Sequence, residues 1–294
     1  MSNVIRLQGK IFCALALMVA VLSLVSPAAD ERMELIVIGS LIVLLGVPHG
    51  AMDTIFAKSI YSVSSLRDWA VFGLLYLLTA AVVVGLWSLA PTVFLLGFLL
   101  ISMAHFSGDP VAGTRRVSRL LYGGAIIVLP VIYHRVEIQH LFGLLAGSDA
   151  AAAITMGLDW LGWPWLIALI SAALFELRYN VQTGCEFLAL ALLSVLMPPL
   201  IAFTVFFCAM HSARHILRTV DYSHGTSPLL LLTMSIVPMI AVIIAIFFAW
   251  RLLPHVSLDA KLIQITFVGL AALTVPHMAL VERVRLSGWA RQRP

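Results

Sequence analysis

Charge is what this sequence has least of. Only 11% of its 294 residues are Asp, Glu, Lys or Arg, against about 25% in a soluble globular domain. That excludes a water-soluble enzyme. Paired cysteines are also missing: Cys13, Cys185 and Cys208 stand alone in or beside apolar runs, with no CxxC spacing. A disulfide framework is thereby excluded, and inert, buried thiols are expected. No glycine fingerprint for a nucleotide follows a strand pattern. No stretch is polar enough to form a soluble electron-delivery domain, and no internal repeat or low-complexity segment interrupts the chain.

What is present is hydrophobicity from end to end, 62% of residues with a mean hydropathy of +1.05. At about 20 apolar residues per membrane span, the length admits at most about ten short-looped helices. Spans are expected at 11–26, 35–57, 69–90, 92–107, 119–133, 163–178, 228–250 and 262–282. Residues 185–218 would make a single helix too long for a bilayer, and Pro198-Pro199 divides it into two. The fold expected is therefore all-α: a polytopic transmembrane bundle of about ten helices, with eight or nine as the alternatives. Residues 1–294 read as one integral-membrane domain. Residues 1–30 form either an extra N-terminal span or a signal peptide, since Ser26-Pro-Ala-Ala29 has the small residues of a cleavage site. Residues 134–162, with Trp160 and Trp163, are expected as an amphipathic outer segment at headgroup level.

The formal charge of +4 and a pI near 9.2 need no nucleic-acid partner. With the N-terminus inside and ten spans, 14 of the 18 Lys and Arg fall on the cytoplasmic side, as the positive-inside rule requires. A multi-pass protein of the inner (cytoplasmic) membrane is the resulting expectation. Under the same topology His49, His105, His211, His215 and His277 all lie toward the cytoplasmic ends of their helices.

Imidazole is rare at membrane depth and is usually functional there. His211 and His215 are four residues apart, on one helix face. His49-Gly-Ala-Met-Asp53 and His105-Phe-Ser-Gly-Asp109 each follow a histidine with an acid at i+4. Neutral imidazoles bind Fe, Zn or Cu well, so His49, His105, His211 and His215 are candidate ligands of one ion. The competing reading is a polar helix–helix network, which would need a separate buried partner for every ring. Asp53 and Asp109 are read as acceptors for ligand N–H groups, with direct ligation or a solvated helix end as the alternatives. His277, after Pro276, is a candidate ligand or substrate contact. Phe106, Phe206 and Phe207 flank the histidines and suit either lipid-facing packing or the wall of a channel for a conjugated substrate. Arg214 is expected to point to water or lipid phosphate. His134, His140 and His255 fall on the outer side and His224 in a loop, outside the site.

The motifs GVPHGAMD at 46–53, HFSGD at 105–109, HSARH at 211–215 and VPHM at 275–278 resemble, in content and order, the bacterioopsin-related-protein (Brp/Blh) family of membrane β-carotene 15,15′-dioxygenases. The resemblance implies an Fe(2+)-dependent enzyme that splits the central double bond of β-carotene with O2 into two retinal molecules. It carries over His49, His105, His211 and His215 as catalytic iron ligands, and it implies a functional link to a retinal-binding rhodopsin. Two other classes compete. A desaturase or hydroxylase with two irons would need more histidines, typically in adjacent pairs, and none are present. A divalent-metal transporter would need a polar outer pathway, whereas the helices over 69–90 and 119–133 are nearly all apolar.

Overall fold

The computed structural model describes residues 3–23, 31–223, 227–284 and 286. The Ser26–Ala29 stretch and His224 lie outside the described residues. Those described form helices and turns without a strand. The helices are α1 (Asn3–Ser23), α2 (Glu31–Leu41), a π-helical segment π1 (Ile42–Gly46), α3 (Pro48–Ala51), α4 (Asp53–Tyr61), α5 (Leu66–Leu89) and α6 (Pro91–Phe106). They continue with α7 (Arg116–Val128), α8 (Val131–Ala146), α9 (Ser148–Leu177), α10 (Val181–Leu196), α11 (Pro199–Val205), a second π-helical segment π2 (Phe206–Ser212), α12 (Ala213–Tyr222), α13 (Pro228–Leu252) and α14 (Leu258–Val284). Among the described residues, seven helical stretches are long and apolar enough to cross a membrane, eight if the bent pair α7–α8 is one span. With the shorter apolar α6 and α10, each of the ten segments expected from hydropathy has a helical counterpart. The protein is a multi-pass helical membrane bundle.

Proline sets most of the breaks. Pro198 holds an extended ψ between α10 and α11, which divides the long apolar stretch where the sequence predicted. Pro130 stops α7, and α8 leaves at 62°. Residues 134–162, expected as an amphipathic outer segment, are helical apart from Gly147. They complete α8 and form the first half of the 30-residue α9, with Gly147 at φ 85° reversing the chain between them. α9 folds back along α8 and then α7: Arg135 pairs with Asp159 at 2.9 Å, and Trp165 Nε1 donates to the Leu121 carbonyl at 2.9 Å. Trp160 and Trp163 stay exposed.

Burial is concentrated on a few helices. α1 packs along α10 and touches π2, and Phe12 and Ala16 are fully buried. α5 has no buried residue and α13 almost none, as expected for helices whose outer faces meet lipid. The cysteines differ from the expectation: Cys13 and Cys208 are half-buried, and Cys185 is exposed on the apolar flank of α10.

Candidate metal centre

Two π-helical segments meet at the centre of the bundle, and each carries a histidine motif at its end. Such segments are common at functional sites because the extra residue rotates the helix beyond it. In π1 the Val47 N–H reaches back to the Ile42 carbonyl at 2.9 Å, and Pro48 then starts a new short helix. A side chain at Gly46 would collide with the Phe207 ring, so glycine there lets the two segments touch. The Gly46 carbonyl is left to accept from His49 Nδ1 at 2.5 Å.

Five imidazoles converge. Ring centroids separate His49 from His211 by 5.0 Å, from His215 by 5.3 Å and from His277 by 5.1 Å. His105 lies 4.5 Å from His211 and 5.2 Å from His277, and His215 lies 4.8 Å from His277. One ring nitrogen each from His49, His105 and His277 falls within 4.8 Å of the other two, the spacing of a set that can share an ion. α14 runs unbroken through Pro276, and it brings His277 into the group alongside His49, His105, His211 and His215.

The hydrogen bonds fix which nitrogen faces the centre. His211 Nδ1 donates to both Asp109 carboxylate oxygens, at 3.0 and 3.1 Å. His277 Nδ1 donates to Asp53 Oδ1 at 2.6 Å. A carbonyl or a carboxylate only accepts, so the proton of His49, His211 and His277 is on Nδ1. Thr219 Oγ1 gives its own proton to the His215 carbonyl at 2.9 Å and lies 3.4 Å from His215 Nδ1, which makes it the acceptor there as well. The Nε2 atoms of His211, His215 and His277 are buried without a hydrogen-bond partner among the described residues. Unpaired buried lone pairs are costly. Several imidazoles with Nδ1 held and Nε2 open are the arrangement a metal ion satisfies.

Neither carboxylate pairs within its own HxxxD motif. The α3–α4 break at Met52 (ψ −2°) and the turn after α6 turn Asp53 and Asp109 away from their own histidines. Each reaches a histidine on another helix, and both are buried, so Asp109 is not a solvated helix end. Asp53→Asn and Asp109→Asn are expected to keep every imidazole but loosen its aim, lowering metal occupancy and turnover about 10–100-fold. Metal per protein and turnover, measured side by side, check this; complete metal loss in either variant would put the carboxylate on the ion.

Irregular backbone inside a membrane needs internal partners, and arginines that sequence reasoning passed over supply them. Arg119 donates to the Ser107 carbonyl at 3.2 Å and to those of Thr114 and Val111. Arg218 holds the carbonyls of Gly108 and Asp109 at 2.8 and 2.6 Å. Arg214 does not face water or lipid: it is fully buried. It bonds Glu186 through two nitrogens at 2.7 and 2.8 Å, Gln8 at 2.9 Å and the Asp109 carbonyl at 3.3 Å. Arg214 lies between two inward histidines in sequence but about 60° to one side of His211 on a helix wheel, so its direction is signalled only by the distant Gln8 and Glu186.

The three phenylalanines are interior rather than lipid-facing. Phe207 stacks on His211 at 5.6 Å and meets His49 edge-on at 5.5 Å. Phe106 touches His211 at 4.9 Å and Phe206 at 5.0 Å. Beside the imidazoles lies an apolar cavity of ≈ 620 Å³, whose lining includes His49, His277, Phe207, Val237, Val242 and Leu270. That is the size of a small-molecule site, about 300–1,000 Å³. The outer histidines have no ring contact with the cluster among the described residues: His134 pairs with Glu137 at 3.1 Å, and His140 and His255 are exposed. Replacing the exposed His140 or His255 by alanine should leave bound metal and turnover within about twofold of the unaltered protein, since exposed changes away from a site rarely matter. His134→Ala, at a half-buried position that does not touch the cluster, should likewise leave bound metal unchanged; metal analysis checks this.

The family model for β-carotene 15,15′-dioxygenase matches residues 40–284. The chain belongs to the β-carotene 15,15′-dioxygenase family. It is 30% identical over 259 residues to the β-carotene 15,15′-dioxygenase of the uncultured marine bacterium 66A03, covering 83% of this chain and 91% of that protein. It is 26% identical over 279 residues to the probable β-carotene 15,15′-dioxygenase Blh of Halobacterium salinarum, covering 81% of each. No solved structure matches. Membership makes the chain a carotenoid dioxygenase, and its buried imidazole cluster is compatible with a metal.

Proposed function

We propose that this enzyme splits the central 15,15′ double bond of β-carotene with O2 into two molecules of retinal, with Fe(II) held by the imidazole cluster. One observation carries the reading: in a chain of this family, a cluster of buried imidazoles with Nδ1 held and Nε2 open adjoins a large apolar cavity that His49 and His277 line. One C=C and one O2 become two C=O groups, so atoms and electrons balance without an added reductant. When bound, the iron supplies the redox chemistry that activates O2. His49, His105, His211 and His215 are assigned as its ligands, with His277 as a fifth imidazole at the same centre.

The protein's own work is positioning. Asp53 and Asp109 keep the Nδ1 protons in place and the Nε2 lone pairs free. Phe207, Val242 and Leu270 exclude water and hold the polyene so that one double bond faces the imidazoles. α5 and α13 flank the cavity, so a hydrocarbon reaches it from the bilayer interior without crossing water. The apolar lining suits a polyene and not a hydrated cation in transit.

The same reading places the chain as one integral-membrane unit in the cytoplasmic membrane, with α1 retained. It is supported by the hydrogen bonds of Gln8 on α1 to the Ala209 carbonyl (2.7 Å) and to Arg214. The retinal formed is the ligand a retinal-binding rhodopsin consumes. Expression in β-carotene-producing cells tests the activity: colour loss with retinal accumulation and iron in the purified protein is the expected result. Retinal-free cells at normal expression would overturn the reading.

A further inference from the structure

Tyr76 belongs to no sequence motif and sits in the middle of α5, a helix with no buried residue. Yet its hydroxyl lies 3.0 Å from Asp53 Oδ2 and 3.3 Å from the Leu273 carbonyl, and its ring lines the cavity beside His277. Asp53 is 3% exposed. Its Oδ1 holds His277 Nδ1, and Tyr76 is its other hydrogen-bonded side chain among the described residues. We propose that Tyr76 is a positioning residue of the metal centre, acting through Asp53 to aim His277 Nε2, and so couples the cavity wall to the ligand set.

The physical argument concerns a carboxylate with two oxygens and two partners. Both acceptors on Asp53 are occupied, one by an imidazole N–H and one by a phenol O–H, from different helices. That fixes the rotation of the carboxyl plane about its own side chain. Without the hydroxyl, Oδ2 is a buried acceptor with no partner, which is costly enough to drive a rearrangement. The carboxylate then rotates toward any donor it can find, and the hydrogen bond to His277 Nδ1 lengthens or bends. The ring that depends on it loses its orientation and part of its basicity toward a metal. The Leu273 carbonyl is one α14 turn from His277, so Tyr76 also registers α5 against the helix that carries the histidine.

The inference rests on the metal assignment above, and the experiment separates the two. The full chain in detergent, stripped of metal, is titrated with Fe(II) against a competing chelator. Tyr76→Phe is expected to weaken Fe(II) binding about tenfold, the size of a lost outer partner, and to lower kcat while KM for β-carotene changes less than about twofold. In an Asp53→Ala background the same Phe substitution is expected to have no further effect, because the hydroxyl acts only through the carboxylate. Asp53→Leu, which fills the space without a polar atom, provides a second background should Asp53→Ala not fold. His277→Ala is the control. If it leaves Fe(II) affinity unchanged while His211→Ala lowers it, His277 is not a ligand and the positioning role is overturned; if neither variant lowers it, the ligand assignment itself fails. If His277→Ala weakens binding while Tyr76→Phe does not, the positioning role is overturned. Equal losses from Tyr76→Phe with and without Asp53 overturn it too, as does a change confined to KM, which would make Tyr76 a wall and nothing more.

Discussion

His211→Ala is expected to abolish retinal formation and to strip iron from the purified protein. His211 is almost completely buried. It is held by two hydrogen bonds from Nδ1 to Asp109 and is packed against Phe106, Phe207, His49 and His105. Alanine removes the open Nε2 lone pair and also leaves the Asp109 carboxylate buried without its N–H donor, which is penalised separately. The loss should therefore exceed the about 10–100-fold expected for the aspartate variants, and it should appear in metal content as well as in turnover. His49→Ala, His105→Ala and His215→Ala are expected to behave alike. Iron per protein and retinal per cell, measured for all four, decide the matter. A variant that keeps full iron and full turnover removes that histidine from the ligand set.

Arg214→Leu is expected to be the most destabilising change away from the imidazoles. The Arg214–Glu186 pair is 0% and 1% exposed, with bidentate geometry and further bonds to Gln8 and the Asp109 carbonyl. Removing one member of such a pair leaves the other charged, buried and alone, at a cost of about 3–5 kcal/mol. Replacing both by leucine removes the orphan charge and should recover most of the thermal stability in detergent. It would not restore the bonds to Gln8 and the Asp109 carbonyl, so iron affinity should stay reduced. If Arg214→Leu melts with the unaltered protein, the pair does not hold α1, α10 and α12 together.

The helical bundle was legible in the sequence because apolar runs of bilayer length leave the backbone no other way to satisfy its hydrogen bonds. Proline made the break at Pro198 legible as well. The bend at Pro130 was harder to read: the apolar run ends at Tyr133, and the mixed stretch His134-Arg-Val-Glu-Ile-Gln-His140 that carries the helix on as α8 reads as an outer connection. Arg214 was misread because its charge alone argued for water, while Glu186 is 28 residues away in sequence and Gln8 206. Tyr76 was invisible for a related reason, since its partner Asp53 lies on another helix.

The histidine positions are a property of the sequence itself. HxxxH on a helix puts two imidazoles on one face whatever surrounds them, and the scarcity of charge in the chain made five deep histidines conspicuous. What the tertiary structure decided is which carboxylate serves which ring. The i, i+4 spacing offers Asp53 to His49 and Asp109 to His105, as a regular helix would. The chain breaks the helix at Met52 and ends α6 before Asp109, so each carboxylate swings to a neighbouring helix, to His277 and His211. Spacing sets direction only while the helix persists; past a break, the packing of other helices sets it.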